Sequence, residues 1–328
     1  MKSHRIQSSI VGLTLVTAAF TSPAATSHAQ PASVEQLPGV YRFALGDAKI
    51  TALSDGTIDL DLHQLLRGVT PDRLDALLRQ DFLEDPVRTS INAFLVETGK
   101  RRVLVDTGSG ELFGNRVGRL QESLAAAGVR PDQIDDILIT HVHIDHVGGL
   151  AHGGKAVFTK ATIHVGKPDL AFYFYPAASS RAHGDAESSA SAVKVLKPYA
   201  NLGRIKPFSG SEEIFPGMTG TIRPGHTPGS AFYTLESQGR KIVFIGDSIH
   251  SLAQLTDPSI TIAFDTDSKL AEGVRTQAFA DFASHRTLIA APHLPFPGIG
   301  HIRQAGQGYT WVPVGYDDRP LTPLPLED

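Results

Sequence analysis

The 328-residue chain, with 41% hydrophobic residues and a formal net charge of −4, has the composition of an ordinary soluble globular protein. It has neither the basic balance of a nucleic-acid-binding protein nor a charge run long enough to form a tail, so we expect no nucleic-acid partner. The chain contains no cysteine. Disulfides and thiolate metal ligands are therefore excluded, and any metal must be bound by nitrogen and oxygen atoms.

Residues 1–29 have the order of a secretory signal peptide. Lys2 and Arg5 precede an apolar run over residues 10–20, and a small-residue segment ends at Ala29. The apolar run is shorter than the ~20 residues that span a bilayer, which favours cleavage over a membrane anchor. We predict an exported protein, periplasmic or secreted, that does not insert into a membrane after cleavage. The mature chain is long enough for one large domain or two.

Two segments of the chain follow the same pattern. Residues 93–105 read as a strand, a polar turn and a second strand, and Asp106 follows them. Residues 231–245 repeat this order, and Asp247 follows the second strand. The pattern favours a fold built from two similar halves, although a chance likeness between two hairpins stays open because hairpins are common.

Helical patterns lie between and after these hairpins. Residues 115–128 predict an amphipathic helix that Asn115 caps and Gly128 ends. Its apolar stripe consists of Val117, Leu120 and Leu124. Strands mixed with helices at this length favour an α/β layered domain. From about residue 165 to 210 the pattern weakens, and we predict a partly helical insertion near the functional site.

Three histidines and one aspartate lie within the six residues 141–146, shortly after the apolar run Ile137–Ile139. If that strand continues, His141 and His143 project to the same side, because side chains two residues apart on a strand share a face. Asp145 and His146, where the chain turns, then point to a second position. The cluster predicts a site for two metal ions at a strand end.

Three further residues follow turn signals or apolar runs. His226 lies in a loop that contains two prolines, Asp247 follows the strand 242–245, and His293 follows the apolar residues 288–292. Loops that leave strands at one edge of a sheet can converge on a single cleft.

Together these residues resemble the full ligand set of the metallo-β-lactamase-fold hydrolases, and the resemblance covers nearly all of the mature chain. It implies an α/β fold, an αββα four-layer sandwich of two similar halves, formed by residues 30–328 as a single domain. By resemblance, the first metal is bound by His141, His143 and His226. The second is bound by Asp145, His146 and His293, with Asp247 bridging the two ions. Asp106 matches an aspartate that orients a ligand histidine.

This donor set suits two divalent ions, zinc first and also cobalt, manganese or iron. Two ions against Asp145 and Asp247 and one hydroxide leave about one net positive charge, which favours an anion developing on a substrate oxygen. A metal-bound water has its pKa lowered to about 7, so hydroxide is present at neutral pH. The site then requires no serine or cysteine nucleophile, and both aspartates serve catalysis as well as metal binding.

Residues outside the predicted ligand set narrow the choice of subfamily within this fold. The absence of cysteine excludes lactamases with a cysteine ligand. Residues 50–57, 206–210 and 296–303 resemble the methyl parathion hydrolase group, whose members hydrolyse organophosphate triesters, aryl esters and lactones. The resemblance implies a small, uncharged substrate of one of these classes and is compatible with a homodimer.

The substrate pocket is predicted by position in that group. Phe113 matches a pocket phenylalanine, Tyr173 falls near a tryptophan, and His250 and Phe264 stand where the group has aliphatic residues. Leu60, on a strand-like stretch, is predicted to add to the pocket wall. The alternative is that the aromatic residues belong to the core, because such side chains bury readily.

An apolar pocket beside two metals suits an uncharged ester, lactone or phosphotriester. The ring alkoxide of a lactone needs a proton, which bound water or His250 would supply. Four rivals stay open. They are a lactonase or arylesterase with phosphotriesterase as a side activity, a thioesterase of the glyoxalase II type, a mono-iron sulfur dioxygenase, and a non-catalytic binding protein on this fold, which the complete ligand set disfavours. The other mid-chain and later histidines are predicted to be surface or core residues: His152, His164, His183, His285 and His301.

Overall fold

The computed structural model describes residues 36–99, 101–114, 116–174 and 186–318. The predicted signal peptide, Asn115 and His183 lie outside these residues. The described residues from Leu37 onward belong to one compact unit. None of the helices in the described ranges has the length and apolarity needed to cross a bilayer.

Seven strands form the first sheet, in the spatial order β1-β2-β4-β5-β6-β9-β10. They are β1 Val40–Leu45, β2 Ala48–Leu60, β4 Val87–Thr98, β5 Arg101–Val105, β6 Asp136–Leu138, β9 Thr162–Gly166 and β10 Ile205–Phe208. The pairs from β1 to β5 are antiparallel, and the pairs from β5 to β10 are parallel. The loop that follows β6 therefore leaves the same edge as the loop that follows β5.

Seven strands also form the second sheet, in the order β11-β12-β13-β14-β16-β17-β18. They are β11 Ser211–Phe215, β12 Met218–Ile222, β13 Ala231–Ser237, β14 Arg240–Phe244, β16 Leu288–Ala290, β17 Ile299–Ala305 and β18 Gly308–Pro313. Here β14 and β16 are the parallel pair, and the other neighbours are antiparallel. Each sheet thus has parallel strands whose following loops share one edge.

Helices and two short strand pairs complete the described fold. The helices are α1 Leu62–Leu65, α2 Pro71–Gln80, α3 Leu120–Ala126, α4 Ile144–Val147, α5 Lys167–Asp169, α6 Ala186–Asn201, α7 Ala253–Thr256 and α8 Ser268–Ser284. A π-helical turn, Leu170–Phe174, follows α5. The short pairs are β3 Leu66–Arg67 with β15 Thr261–Ile262, and β7 Ala151–His152 with β8 Lys155–Ala156.

The predicted four-layer α/β sandwich is confirmed, and strand alternation explains its layers. Phe94 and Phe244 belong to the core between the sheets, and their ring centroids are 5.5 Å apart. Leu95, the next residue after Phe94, faces the opposite way, into a core shared with α3 and α6. On the second sheet, Val243 likewise faces the core that Phe279 of α8 covers. Each sheet is therefore buried on both faces, since successive side chains on a strand point in opposite directions.

Both predicted hairpins are confirmed. Strands β4 and β5 pair with Phe94 opposite Val105, and β13 and β14 pair with Tyr233 opposite Phe244. One hairpin lies in each sheet, and an aspartate follows each second strand, as the repeated pattern predicted.

The predicted amphipathic helix was wrong at its beginning. Helix α3 begins at Leu120, and the backbone before it turns through Gly118, which has a φ of +81°. The cause is a distant acceptor: Asp55 receives hydrogen bonds from the N–H groups of Gly118 and Leu120. Asp55 therefore takes the place that the local pattern assigned to Asn115.

The predicted insertion is shorter than residues 165–210. Strands β9 and β10 occupy its two ends and pair with each other in the first sheet. The described residues between them are largely helical, in α5, the π-helical turn and α6. The segment thus connects two neighbouring parallel strands.

Candidate metal centre

The first four predicted ligands lie on the loop that follows β6. This strand ends at Leu138 and does not continue, because the chain bends at Thr140; His143, with an extended backbone, precedes α4. His141 and His143 approach each other with His141 Nε2 3.0 Å from His143 Nδ1. Asp145 and His146 lie on α4 and form a separate group with His293, as predicted.

The other three predicted ligands come from the second half. His226 lies in the loop between β12 and β13, Asp247 follows β14, and His293 follows β16. The Nε2 atom of His226 is 3.1 Å from His143 Nδ1, which brings the two halves together. The loops after β6, β14 and β16 and the loop between β12 and β13 therefore converge on one site.

Asp247 lies at the centre of this arrangement. Its Oδ2 atom is 3.4 Å from His226 Nε2 and 3.5 Å from His141 Nε2. Its Oδ1 atom is 3.1 Å from His146 Nε2 and 3.1 Å from His293 Nε2. Its Oδ2 atom is also 3.1 Å from His293 Nε2, so the one carboxylate contacts both histidine groups.

The donor atoms fit two divalent ions. Neighbouring ligand nitrogens on a tetrahedral zinc ion lie about 3.3 Å apart, close to the 3.0 and 3.1 Å that separate His143 Nδ1 from the nitrogens of His141 and His226. His146 Nε2 and Asp247 Oδ1 are buried, and although they lie 3.1 Å apart, neither has a hydrogen-bond partner of suitable geometry among the described residues. Such atoms are costly to bury unless they have another partner, and a cation would satisfy both.

The second ring nitrogen of every ligand histidine is held by a neighbour. His146 Nδ1 lies 2.9 Å from Asp106 Oδ2, and His226 Nδ1 lies 2.9 Å from Asp265 Oδ1. The remaining contacts are His141 Nδ1 to Thr140 Oγ1 at 3.1 Å, His143 Nε2 to Tyr173 Oη at 3.1 Å, and His293 Nδ1 to the Ser90 carbonyl oxygen at 3.0 Å. Such partners fix the ring orientation and leave the opposite nitrogen available to a metal.

The carboxylates of the site are ionised at neutral pH. Burial alone would raise the pKa of Asp247, but the nearby His146 and His293 outweigh it and hold that pKa well below its usual value. The pKa of Asp145 is also lowered, because the same two histidines outweigh its burial. Two buried negative charges among neutral and cationic imidazoles form a site that attracts cations.

The ligand histidines differ from one another in pKa. Burial, aided by the charge of His226, lowers the pKa of His143 to about 3. Burial acts the same way on His226, but hydrogen bonds to Asp247 and Asp265 overcome it and raise its pKa to about 9. Metal binding must therefore displace a proton from His226, and we expect it to weaken as the pH falls.

The predicted pocket residues fall into three groups. Tyr173 is buried and contacts His143, and His250 is buried with its Nε2 3.1 Å from Asp247 Oδ2. Phe264 is 43% exposed, and its ring centroid is 6.2 Å from that of His250. Phe113 is also exposed, whereas Leu60 packs against the core around α1 and α2. The structure therefore brings Tyr173, His250 and Phe264 to the centre.

Asp247, His250 and His293 form a further buried group that could hold a cation. Two of its three members belong to the predicted ligand set, so His250 extends the same centre. Among the histidines that were predicted not to be ligands, His164 is buried and lies 2.9 Å from Asp136. It belongs to the first sheet, away from the cluster.

Sequence reasoning missed Asp265 and Asp169. Asp265 contacts His226 from 39 residues away, and Asp169 receives hydrogen bonds from the two loops that carry the first ligand group. Neither residue lies in a recognisable motif. Only the folded chain reveals them, because their partners are distant in sequence.

The comparisons with known proteins agree on one protein family. The model of the metallo-beta-lactamase superfamily matches residues 86–307. A solved hydrolase of the beta lactamase superfamily, AbOPH, is 36% identical, has a TM-score of 0.82, and matches over 87% of this chain and 100% of that chain. AidC, a dizinc quorum-quenching lactonase solved with a homoserine product, is 27% identical with a TM-score of 0.80 over the same shares.

Curated relatives include enzymes of more than one kind. An N-acyl homoserine lactonase of Bacillus thuringiensis is 27% identical over 243 residues, which cover 68% of this chain and 84% of the lactonase. A ribonuclease of Thermus thermophilus is 30% identical over 199 residues, or 56% of this chain. The match spans only 40% of that ribonuclease's length.

Proposed function

We propose, from the premise that this chain belongs to the metallo-beta-lactamase superfamily of metal-dependent hydrolases, that it is an exported dinuclear lactonase and arylesterase. Organophosphate triesters are the second candidate substrates, as a side activity. Export rests on the basic, apolar and small-residue order of residues 1–29.

One observation carries the dinuclear assignment. Asp247 lies between the two groups, with Oδ2 near His141 and His226 and Oδ1 near His146. His293 Nε2 lies 3.1 Å from both oxygens. A carboxylate in this position can bridge two ions. When bound there, two divalent ions supply a nucleophile at neutral pH and polarise the substrate oxygen.

The protein's own residues bind, orient and desolvate. Asp106 and Asp265 hold the rings of His146 and His226, so the donor atoms are fixed before substrate arrives. The side chain of Asp247 is 4% exposed, and burial at this level strengthens electrostatic interactions within the site. His250 and Phe264 line one side of the centre and offer a buried imidazole and an exposed apolar ring.

Lactones are favoured over phosphotriesters by the relatives. AidC and the Bacillus thuringiensis enzyme are lactonases, and the chain matches both over most of their lengths. The second candidate rests on the resemblance of residues 50–57, 206–210 and 296–303 to the methyl parathion hydrolase group. Lactone, aryl ester and triester share an uncharged electrophile, which suits the apolar ring of Phe264.

The test uses the mature protein with its metal content measured and its N-terminus sequenced. Rates on a γ-lactone, an acyl-homoserine lactone, phenyl acetate, methyl parathion and a glutathione thioester give a series of kcat/KM values. We expect two divalent ions per chain, a mature N-terminus near Gln30, and kcat/KM for a lactone or the aryl ester about 100-fold or more above that for methyl parathion.

Asp247→Ala tests the bridging role, and we expect this variant to lose bound metal and hydrolytic activity together. Full activity of this variant with two ions bound would refute the bridging role. A single iron per chain would favour the dioxygenase hypothesis. A kcat/KM highest for the thioester would favour the thioesterase hypothesis. A kcat/KM highest for methyl parathion would make the triester the principal substrate.

A further inference from the structure

Asp169 is a fully buried carboxylate that lies outside the predicted ligand set. It ends α5, after β9, and has no exposed surface. Its Oδ2 atom accepts hydrogen bonds from Val142 N and Thr227 Oγ1, each at 2.9 Å. Its Oδ1 atom accepts a hydrogen bond from Gly229 N at 2.5 Å.

The three donors belong to the two loops that carry the first ligand group. Val142 stands between His141 and His143, and Thr227 directly follows His226 in the loop that continues to Gly229. One side chain therefore ties a loop of the first half to a loop of the second half. These are the loops whose ring nitrogens approach each other within 3.1 Å.

The backbone around Asp169 is packed too tightly to shift easily. A Cβ atom added at Gly229 would lie 2.5 Å from Asp169 N and 2.9 Å from Asp169 Cβ. A Cβ atom added at Gly166 would lie 2.2 Å from the Gly229 carbonyl oxygen. The His226 loop thus rests directly on the segment that presents the carboxylate, and only glycine permits this approach.

We propose that Asp169 is a positioning residue that sets the distance between His141, His143 and His226 and so determines the affinity of the first metal position. This inference rests on the proposed two-metal function. The same segment also supplies Tyr173, whose hydroxyl lies 3.1 Å from His143 Nε2. The connection between β9 and β10 therefore supports the first ligand group twice.

Asp55 provides a matched control. It is equally buried and accepts hydrogen bonds from three backbone N–H groups, those of Ser109, Gly118 and Leu120. These donors lie between Ser109 and the first residue of α3, and none of them belongs to the His141 or His226 loop. Ser109 packs against Gly148, beyond the second ligand group. Asp55→Asn therefore reports the general cost of altering a buried aspartate with three donors.

The experiment compares wild-type, Asp169→Asn and Asp55→Asn proteins, each loaded with zinc or cobalt and titrated with a competing chelator. An asparagine keeps the size of Asp169 but turns an amide N–H₂ toward one of the three donors. We expect Asp169→Asn to bind one of its two ions about 10- to 100-fold more weakly. Its cobalt absorption spectrum should change, and Asp55→Asn should bind the ion of the first position as the wild type does.

Thr227→Val serves as a second variant, because it removes only the hydroxyl that donates to Asp169. We expect Thr227→Val to lower the affinity for the same ion by a smaller factor. This result can be measured even if Asp169→Asn fails to fold. Unchanged affinities in Thr227→Val or Asp169→Asn, or an equal loss in Asp55→Asn, would overturn the inference. A wild-type protein that binds fewer than two ions would overturn the proposed function, and this inference with it.

Discussion

In His250 the ring nitrogen without a hydrogen-bond partner is the one that does not contact Asp247, whereas in His146 it is the one that does. The Nε2 atom of His250 lies 3.1 Å from Asp247 Oδ2, while Nδ1 is buried without a hydrogen-bond partner among the described residues. Burial outweighs the attraction of Asp247 and lowers the pKa of His250. A neutral imidazole whose Nε2–H group donates to Asp247 presents an unprotonated Nδ1. That nitrogen can accept a hydrogen bond from a bound water and so orient the water that protonates a leaving alkoxide.

We predict that His250→Ala reduces kcat/KM about tenfold or more on lactones and less on aryl esters, since a phenolate leaves without protonation and a ring alkoxide does not. Parallel rate measurements on both substrates, with metal content determined, test this. Phe264→Leu is the control, because it changes the neighbouring apolar surface alone and should affect both substrates similarly. An unchanged ratio of the two rates in His250→Ala would contradict a role of His250 in protonation of the leaving group.

The site residues differ in how far the sequence alone could predict them. His141, His143, Asp145 and His146 are recognisable because local spacing alone brings their side chains together. Asp169 has no such signal, because its donors are 27 to 60 residues away. The exposure of Phe113 and Phe264 depends on how loops cross the surface, which residue type does not determine.

At the scale of elements, the sequence predicted the strands more accurately than it predicted where a helix begins. The hairpins β4–β5 and β13–β14 follow from alternation and turn residues, which are local properties. Helix α3 begins late because Asp55 binds the preceding turn, which is a long-range effect. The parallel strands β5, β6 and β9 also carry a charged group that no motif indicated: Asp136, with His164 on one side and Arg101 on the other.

Asp136 gives a pH-dependent prediction. Burial opposes its charge, but His164 and Arg101 outweigh burial and lower its pKa. A lowered pKa in the folded state means that the carboxylate stabilises the fold fully above its unfolded pKa of about 4. This contribution is lost as the pH falls from there through the lowered folded pKa.

We therefore predict that Asp136→Asn reduces the free energy of unfolding by about 1–3 kcal/mol at pH 7, and by less at pH 3. Denaturant unfolding in the presence of a chelator at both pH values measures this without a contribution from metal loss. The exposed Asp132, which pairs with Arg130, supplies the control Asp132→Asn, which should change stability little. A deficit that grows at pH 3 would contradict the assigned sign.

At the scale of the whole molecule, the candidate metal centre joins the two halves. Four predicted ligands follow β6 in the first half, and His226, Asp247 and His293 come from the second half. The sheets already share an apolar core that includes Phe94 and Phe244. Bound ions would add a polar link at one edge of that core, between loops that otherwise hold buried charges close together.

We predict that metal removal lowers the melting temperature. An ion present at about 1,000 times its Kd stabilises the fold by about 4 kcal/mol, or roughly 10 °C for a domain of this size. Calorimetry of the loaded and chelated proteins measures the shift, and added zinc should restore it. Asp247→Ala should respond little to the chelator, because it lacks the carboxylate that both ligand groups share. Equal melting temperatures for the loaded and chelated wild type would mean that the ions do not link the halves.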